Sequence, residues 1–143
     1  MKKLLKILLV CIFVFMISGC GKKIDKISYA KFNEYFSNDE YDIIDHTDQY
    51  GLEVRRYIEA GNGKIQFFYI EFDNEKSAEK YMNGIYVSAK GNKTKVKKGY
   101  TYTKNTKGRY MKVYKVNNVI FVGNTEQKKY KWQVNKVLRE LGY

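Results

Sequence analysis

Apolar positions recur along the chain with two different periods, and the switches between them mark out its elements. Phe32, Tyr35 and Phe36 share one helical face behind Ser28, whose side chain suits an N-cap, while Ile27 and Phe32 are spaced as a hydrophobic staple. This helix is expected to end near Asn38. Tyr41 to Asp45 reads as a short strand and Leu52 to Ala60 as a longer one, with Val54, Arg56 and Ile58 alternating against Arg55, Tyr57 and Glu59. Gly61-Asn62-Gly63 tolerates positive φ, so a hairpin is expected there. The return strand, Lys64 to Phe72 (KIQFFYIEF), is apolar on both faces and is the best candidate for a buried central strand.

Asp73 or Asn74 can cap a second helix, in which Ala78, Tyr81, Met82 and Ile85 follow the spacing of a helix packed on a sheet. Lys90 to Lys98 (KGNKTKVKK) shows no apolar period and reads as a basic loop, followed by a strand at Tyr100 to Thr103 and a turn at Asn105 to Gly108. Arg109 to Val116 and Val119 to Gly123 form a second hairpin across Asn117-Asn118. Asn124 or Thr125 is expected to cap a last helix whose stripe is Tyr130, Val134, Val137, Leu138 and Leu141.

The tight hairpins and three helices predict an α+β domain. We expect a mainly antiparallel sheet of five or six strands with helices packed on one face. Stretches 52–85 and 109–141 share the order strand, turn, strand, cap, helix. That order fits an internal duplication of a ββα unit or a common way of building a small α+β layer, and residue identity is too low to choose.

The start of the chain follows a different pattern. Lys2, Lys3 and Lys6 precede an unbroken apolar run, Ile7 to Ile17, that ends at Ser18-Gly19, the layout of a secretory signal. The run is about 11 residues, against about 20 for a helix that spans a bilayer. Ile17-Ser18-Gly19-Cys20 resembles the lipobox recognised by lipoprotein signal peptidase. The resemblance implies cleavage between Gly19 and Cys20 and a diacylglyceryl group on the Cys20 thiol, and two acyl chains suffice for stable anchoring. The expected organisation is a signal peptide over 1–19, a lipidated mobile tether over 20–27 and a single domain over 28–143, held at the extracytoplasmic face of the cell membrane. The whole chain is also similar to small lipoproteins of low-GC Gram-positive bacteria such as clostridia, a resemblance that implies a location and no activity.

Charge and cysteine content narrow the chemistry. Cys11 falls within the signal and Cys20 carries the lipid, so the exported domain has no thiol for a disulfide, a nucleophile or a metal site. The formal charge of +12 is unevenly spread. Residues 21–85 hold 9 Lys/Arg against 13 Asp/Glu, whereas 86–143 hold 15 against 2. A basic surface able to meet a polyanion is the reading this split supports. The candidate residues are Lys93, Lys95, Lys97, Lys98, Lys104, Lys107, Arg109, Lys112 and Lys115, interleaved with Tyr100, Tyr102, Tyr110 and Tyr114. Outside a Gram-positive membrane the partners to expect are anionic lipid, teichoic acid or an acidic protein; the location argues against nucleic acid.

Catalytic patterns are sparse. His46 is the single histidine, and the run Asp39, Glu40, Asp42, Asp45, Asp48 lacks the spacing of a calcium loop. Glu71 and Asp73 could pair as acids at a strand end. No nucleophile elbow, phosphate-cradling glycine loop or metal-binding helix motif appears. No cofactor and no metal are expected, and the leading expectation is a non-catalytic binding module. The alternatives are a lipoprotein of phage exclusion or bacteriocin immunity, and a carboxylate-based envelope hydrolase.

Overall fold

The computed structural model describes residues 24–51, 53–89, 91–96, 99–106 and 108–143. Its elements are α1 (Tyr29–Phe36), β1 (Asp42–Asp45), β2 (Val54–Gly61), β3 (Gln66–Phe72), α2 (Glu75–Ala89), β4 (Asn92–Val96), β5 (Gly99–Asn105), β6 (Tyr110–Val116), β7 (Val119–Thr125) and α3 (Lys131–Glu140). The strands form one seven-stranded sheet in the order β1-β2-β3-β7-β6-β5-β4, with every neighbouring pair antiparallel. The α+β class and the antiparallel sheet agree with the sequence pattern.

Local chemistry explains most element boundaries. Ser28 Oγ accepts the N–H of Lys31 at 3.2 Å and starts α1, with Ile27 and Phe32 both buried beside it. Asn74 Oδ1 accepts the N–H of Ser77 at 2.9 Å and starts α2, while the Asp73 carboxylate is taken by Arg55 Nε at 2.7 Å. In the β2–β3 turn Gly63 has φ +75, and Asn62 Oδ1 accepts the N–H groups of Lys64 and Ile65. Asn117 supplies the positive φ of the β6–β7 turn.

The side-chain alternation of the central strands decides where the helices go. Phe67 and Tyr69 of β3, with Val119 and Phe121 of β7, belong to one buried cluster that includes Phe32 and Phe36 of α1 and Val134, Val137 and Leu138 of α3. Ile70 and Phe72 of β3, with Ile120 and Val122 of β7, belong to a second cluster closed by Ala78 and Met82 of α2. The helices therefore cover both faces of the sheet, not the one face expected. Strands apolar on both sides need cover on both sides. The same placement speaks against a symmetric duplication. A dyad relating β2-β3 to β6-β7 across the antiparallel β3–β7 contact would put α2 and α3 on one face, and they lie on opposite faces.

Three further expectations are corrected. Within the segment read as a basic loop, Asn92–Val96 is the edge strand β4, paired to β5. Asn92 and Thr94 are exposed, and pairing to β5 asks only for backbone N–H and C=O groups, which leave no apolar period in the sequence. Helix α3 begins at Lys131 and not after Asn124 or Thr125, because both residues still belong to β7. Thr125 instead donates to the Lys64 carbonyl at 2.7 Å and accepts the Gln127 N–H at 3.1 Å. Finally, residues 24–27 are not a free tether: Ile24 and Ile27 are buried in the first cluster, and the Ile27 N–H donates to the Tyr143 hydroxyl at 3.0 Å. Residues 24–27 thus pack with the domain, beside the end of α3.

Candidate functional site

The nine basic candidates do not form one face. Cys20, Gly19, Lys97, Lys98 and Lys107 lie outside the described residues, as do the side chains of Lys93 and Lys95. Among the rest, strand alternation separates Lys112 from Lys104 and Lys115 onto opposite faces of the sheet. Lys112 stacks its ammonium over the Tyr114 ring at 5.3 Å. Arg109 is ion-paired to Glu126. Lys115 is 3% exposed at the side chain, with its Nζ 2.7 Å from Glu75 and 3.3 Å from Glu79 of α2. It fastens α2 to β6 and cannot reach a polyanion. Tyr102, Tyr110 and Tyr114 are buried, so they build the sheet layers and offer no stacking platform.

Glu71, Asp73 and Asp45 are likewise engaged in structure. Glu71 accepts from Arg56 at 2.7 Å, and Asp73 accepts from Arg55, so the two carboxylates are drawn to separate guanidinium groups. His46 Nε2 lies 2.9 Å from Glu59, whose other oxygen accepts from Gln66. Asp45 takes the N–H of Thr47 at 2.8 Å, and hydrogen bonds from Thr47 hold its carboxyl below the usual range. Among the described residues, no three His, Cys, Asp or Glu side chains are grouped as a metal site, and no helix is long and apolar enough to cross a membrane.

A different cationic surface emerges on α3 and the 3-10 turn before it. The inward stripe Val134, Val137 and Leu138 is buried, which fixes the outward face of the same helix. That face carries Trp132, 61% exposed and the most exposed large apolar side chain described, together with Lys131, Lys136 and Arg139. Lys128 and Lys129 extend it through the 3-10 turn, with Lys129 Nζ 4.9 Å over the Tyr130 ring and Lys131 Nζ 5.1 Å over that of Tyr110. Lys128, Lys129, Lys131, Trp132, Asn135 and Arg139 line an open depression of about 400 Å³. Neither of the exposed Lys128 and Arg139, nor Lys129 or Lys131, has an ion-pair partner among the described residues.

Trp132 also borders a second, more enclosed cleft of about 190 Å³ between α1 and α3, lined by Tyr35, Glu40, Tyr41, Asn62, Lys136 and Glu140 among others, Gln133 included. The Tyr35 hydroxyl donates to Glu140, and Lys136 lies 3.8 Å from the same carboxylate. Burial first, and then Glu140, push the Tyr35 hydroxyl up; burial followed by Glu40 and Glu140 does the same to Tyr41. Both phenols stay protonated donors at neutral pH. The sequence held a signal for this surface, since every position of the last helix outside its apolar stripe, Glu140 apart, is basic, amide or aromatic. Lysines are denser upstream, over 93–115. No protein-family model, curated protein or solved structure matches this chain.

Proposed function

We propose that this protein is a lipoprotein held by an acylated Cys20 at the outer face of the cell membrane, and that it acts there as a non-catalytic binding module whose α3 surface contacts an envelope polyanion. The observation that carries the reading is the Trp132 indole, largely exposed amid Lys128, Lys129, Lys131 and Arg139, none of which has an acidic partner among the described residues. Unneutralised cations around an exposed aromatic ring attract a polyanion and provide an apolar contact for its backbone or substituents.

The position of the chain entry supports the same reading. Ile24 is buried, and only three residues separate it from Cys20, a reach over four steps of at most about 14 Å. Residues 27 and 31 contact the end of α3 through the Tyr143 hydroxyl and the Leu141 carbonyl. An anchor at Cys20 would hold the Arg139 end of the surface close to the membrane and its neighbouring polymers. Glu40 and Glu140 in the adjoining cleft are both exposed.

Two measurements test the proposal. Cys20→Ser is expected to move the protein from the membrane fraction to the medium, and continued sedimentation with membranes would contradict the anchor. The full chain in neutral detergent is expected to bind inorganic polyphosphate at low salt and release it at high salt. No binding at low salt would contradict the polyanion surface.

A further inference from the structure

We propose that the cleft between α1 and α3 receives a sugar ring, and that the polyanion is therefore a phosphate-bearing glycan polymer whose phosphates lie on the Lys128, Lys129, Lys131 and Arg139 surface. This rests on the polyanion reading above and specifies its ligand. Trp132 is the shared wall of the two depressions, so one ligand crossing the indole occupies both.

The two depressions differ in chemistry. The open one is cationic. The cleft holds two carboxylates, Glu40 and Glu140, two phenols, the amides of Asn62 and Gln133, and Lys136, whose charge is taken by Glu140. With that lysine paired, Glu40 leaves the cleft net acidic, which disfavours phosphate and suits a neutral group rich in hydroxyls, for which carboxylates accept and amides both donate and accept. Its volume of about 190 Å³ corresponds to about six water molecules, the scale of one small ring. The exposed face of Trp132 meets the C–H face of such a ring and buries apolar area on both sides. Tyr35 is fixed by its bond to Glu140, and Lys136 by its ion pair with the same carboxylate, so part of the cleft is ordered before a ligand arrives. A surface built only for anionic lipid headgroups has no use for a carboxylate-lined cleft beside its cations.

Trp132 is the only tryptophan in the chain, and its emission reports this site alone. The full chain in neutral detergent is titrated with a sugar-substituted teichoic acid, with the same polymer after its sugars are removed, with inorganic polyphosphate and with phosphatidylglycerol vesicles. The substituted polymer is expected to bind about tenfold tighter than the stripped one, a difference of about 1.4 kcal/mol. Gln133→Ala with Glu40→Ala, both polar cleft positions, is expected to abolish that difference without weakening polyphosphate binding, with thermal unfolding confirming the fold. Equal affinity for the two polymers, or an advantage that survives the cleft substitutions, would overturn the sugar assignment while polyphosphate binding keeps the polyanion reading. Vesicles that shift Trp132 emission as far as the substituted polymer does would assign the surface to lipid headgroups and also overturn it. Failure of polyphosphate and both polymers to bind would overturn both readings.

Discussion

The Lys115 ammonium on β6 lies 2.7 Å from the Glu75 carboxylate on α2, and Glu79 one turn later completes the pair at 3.3 Å. A charge buried to 3% exposure is tolerated because its partners reach in from the helix, which also leaves it unable to serve as a surface cation. Replacing both partners, Glu75→Gln with Glu79→Gln, leaves the ammonium buried without a counter-charge and is expected to cost about 3 kcal/mol in urea unfolding. Lys115→Met keeps the volume and removes the charge, and is expected to stay within about 1 kcal/mol of the parent. The reverse order would contradict this role.

Tyr143 is tied to Ile27 by the hydroxyl that accepts its backbone N–H, and its ring packs on Tyr114 and Phe121 at 4.4 and 5.2 Å between centroids. Tyr143→Phe keeps the ring and leaves a buried N–H unpaired. A loss of about 1–2 kcal/mol is expected, read from the chemical denaturation midpoint. Backbone amide exchange at Ile27 is expected to rise faster than exchange at Phe121 in the sheet centre.

Gly123 on β7 leaves no room for a side chain beneath α3. A Cβ there would stand 2.9 Å from Val134 Cγ1 and 3.0 Å from the Phe67 ring. Gly123→Ala is expected to destabilise by about 1–3 kcal/mol, and Val134→Ala in the same chain to recover part of that loss, giving a non-zero coupling in a double-mutant cycle. Additive losses would show that the contact is not the cause.

Most of the fold was legible in the residues that set it. Ser28, Asn74 and the Gly61-Asn62-Gly63 turn carry local chemistry that acts within three or four positions. KIQFFYIEF announced a central strand by being apolar on alternating and intervening positions alike. The same string also implied cover on both faces, which only the positions of α1, α2 and α3 in space make plain. What escaped was non-local. Asn92–Val96 becomes a strand because β5 offers backbone partners, and Lys115 is buried because Glu75 and Glu79 arrive from forty and thirty-six positions away. The candidate surface escaped in part for the same reason. Linear density of lysine favoured 93–115, but alternation on strands scatters such a run across both faces, whereas the helical turn gathers Trp132 and Arg139 on one.

Burial pushes up the hydroxyls of Tyr57, Tyr69, Tyr81, Tyr110, Tyr114 and Tyr143, as well as those of Tyr35 and Tyr41. A phenol whose folded pKa is raised leaves stability intact below the ordinary value of about 10, and stability falls as pH climbs from there towards the folded value. Each phenol that ionises only on unfolding contributes a slope of about 1.4 kcal/mol per pH unit in that window. Tyrosinate absorbance from these residues is expected to appear in one step with loss of the fold. Gradual titration of all tyrosines in a folded chain would contradict the buried assignments.

The central claim is that the α3 surface, not the lysine-rich strands, meets the polyanion. Two double variants of the full chain change net charge equally: Lys128→Glu with Lys129→Glu, and Lys104→Glu with Lys112→Glu. With about 1 kcal/mol for each lost lysine, the first pair is expected to weaken polyphosphate binding at low salt about thirtyfold. The second is expected to stay within about threefold of the parent. Equal losses in the two variants, or a larger loss in the second, would contradict the account.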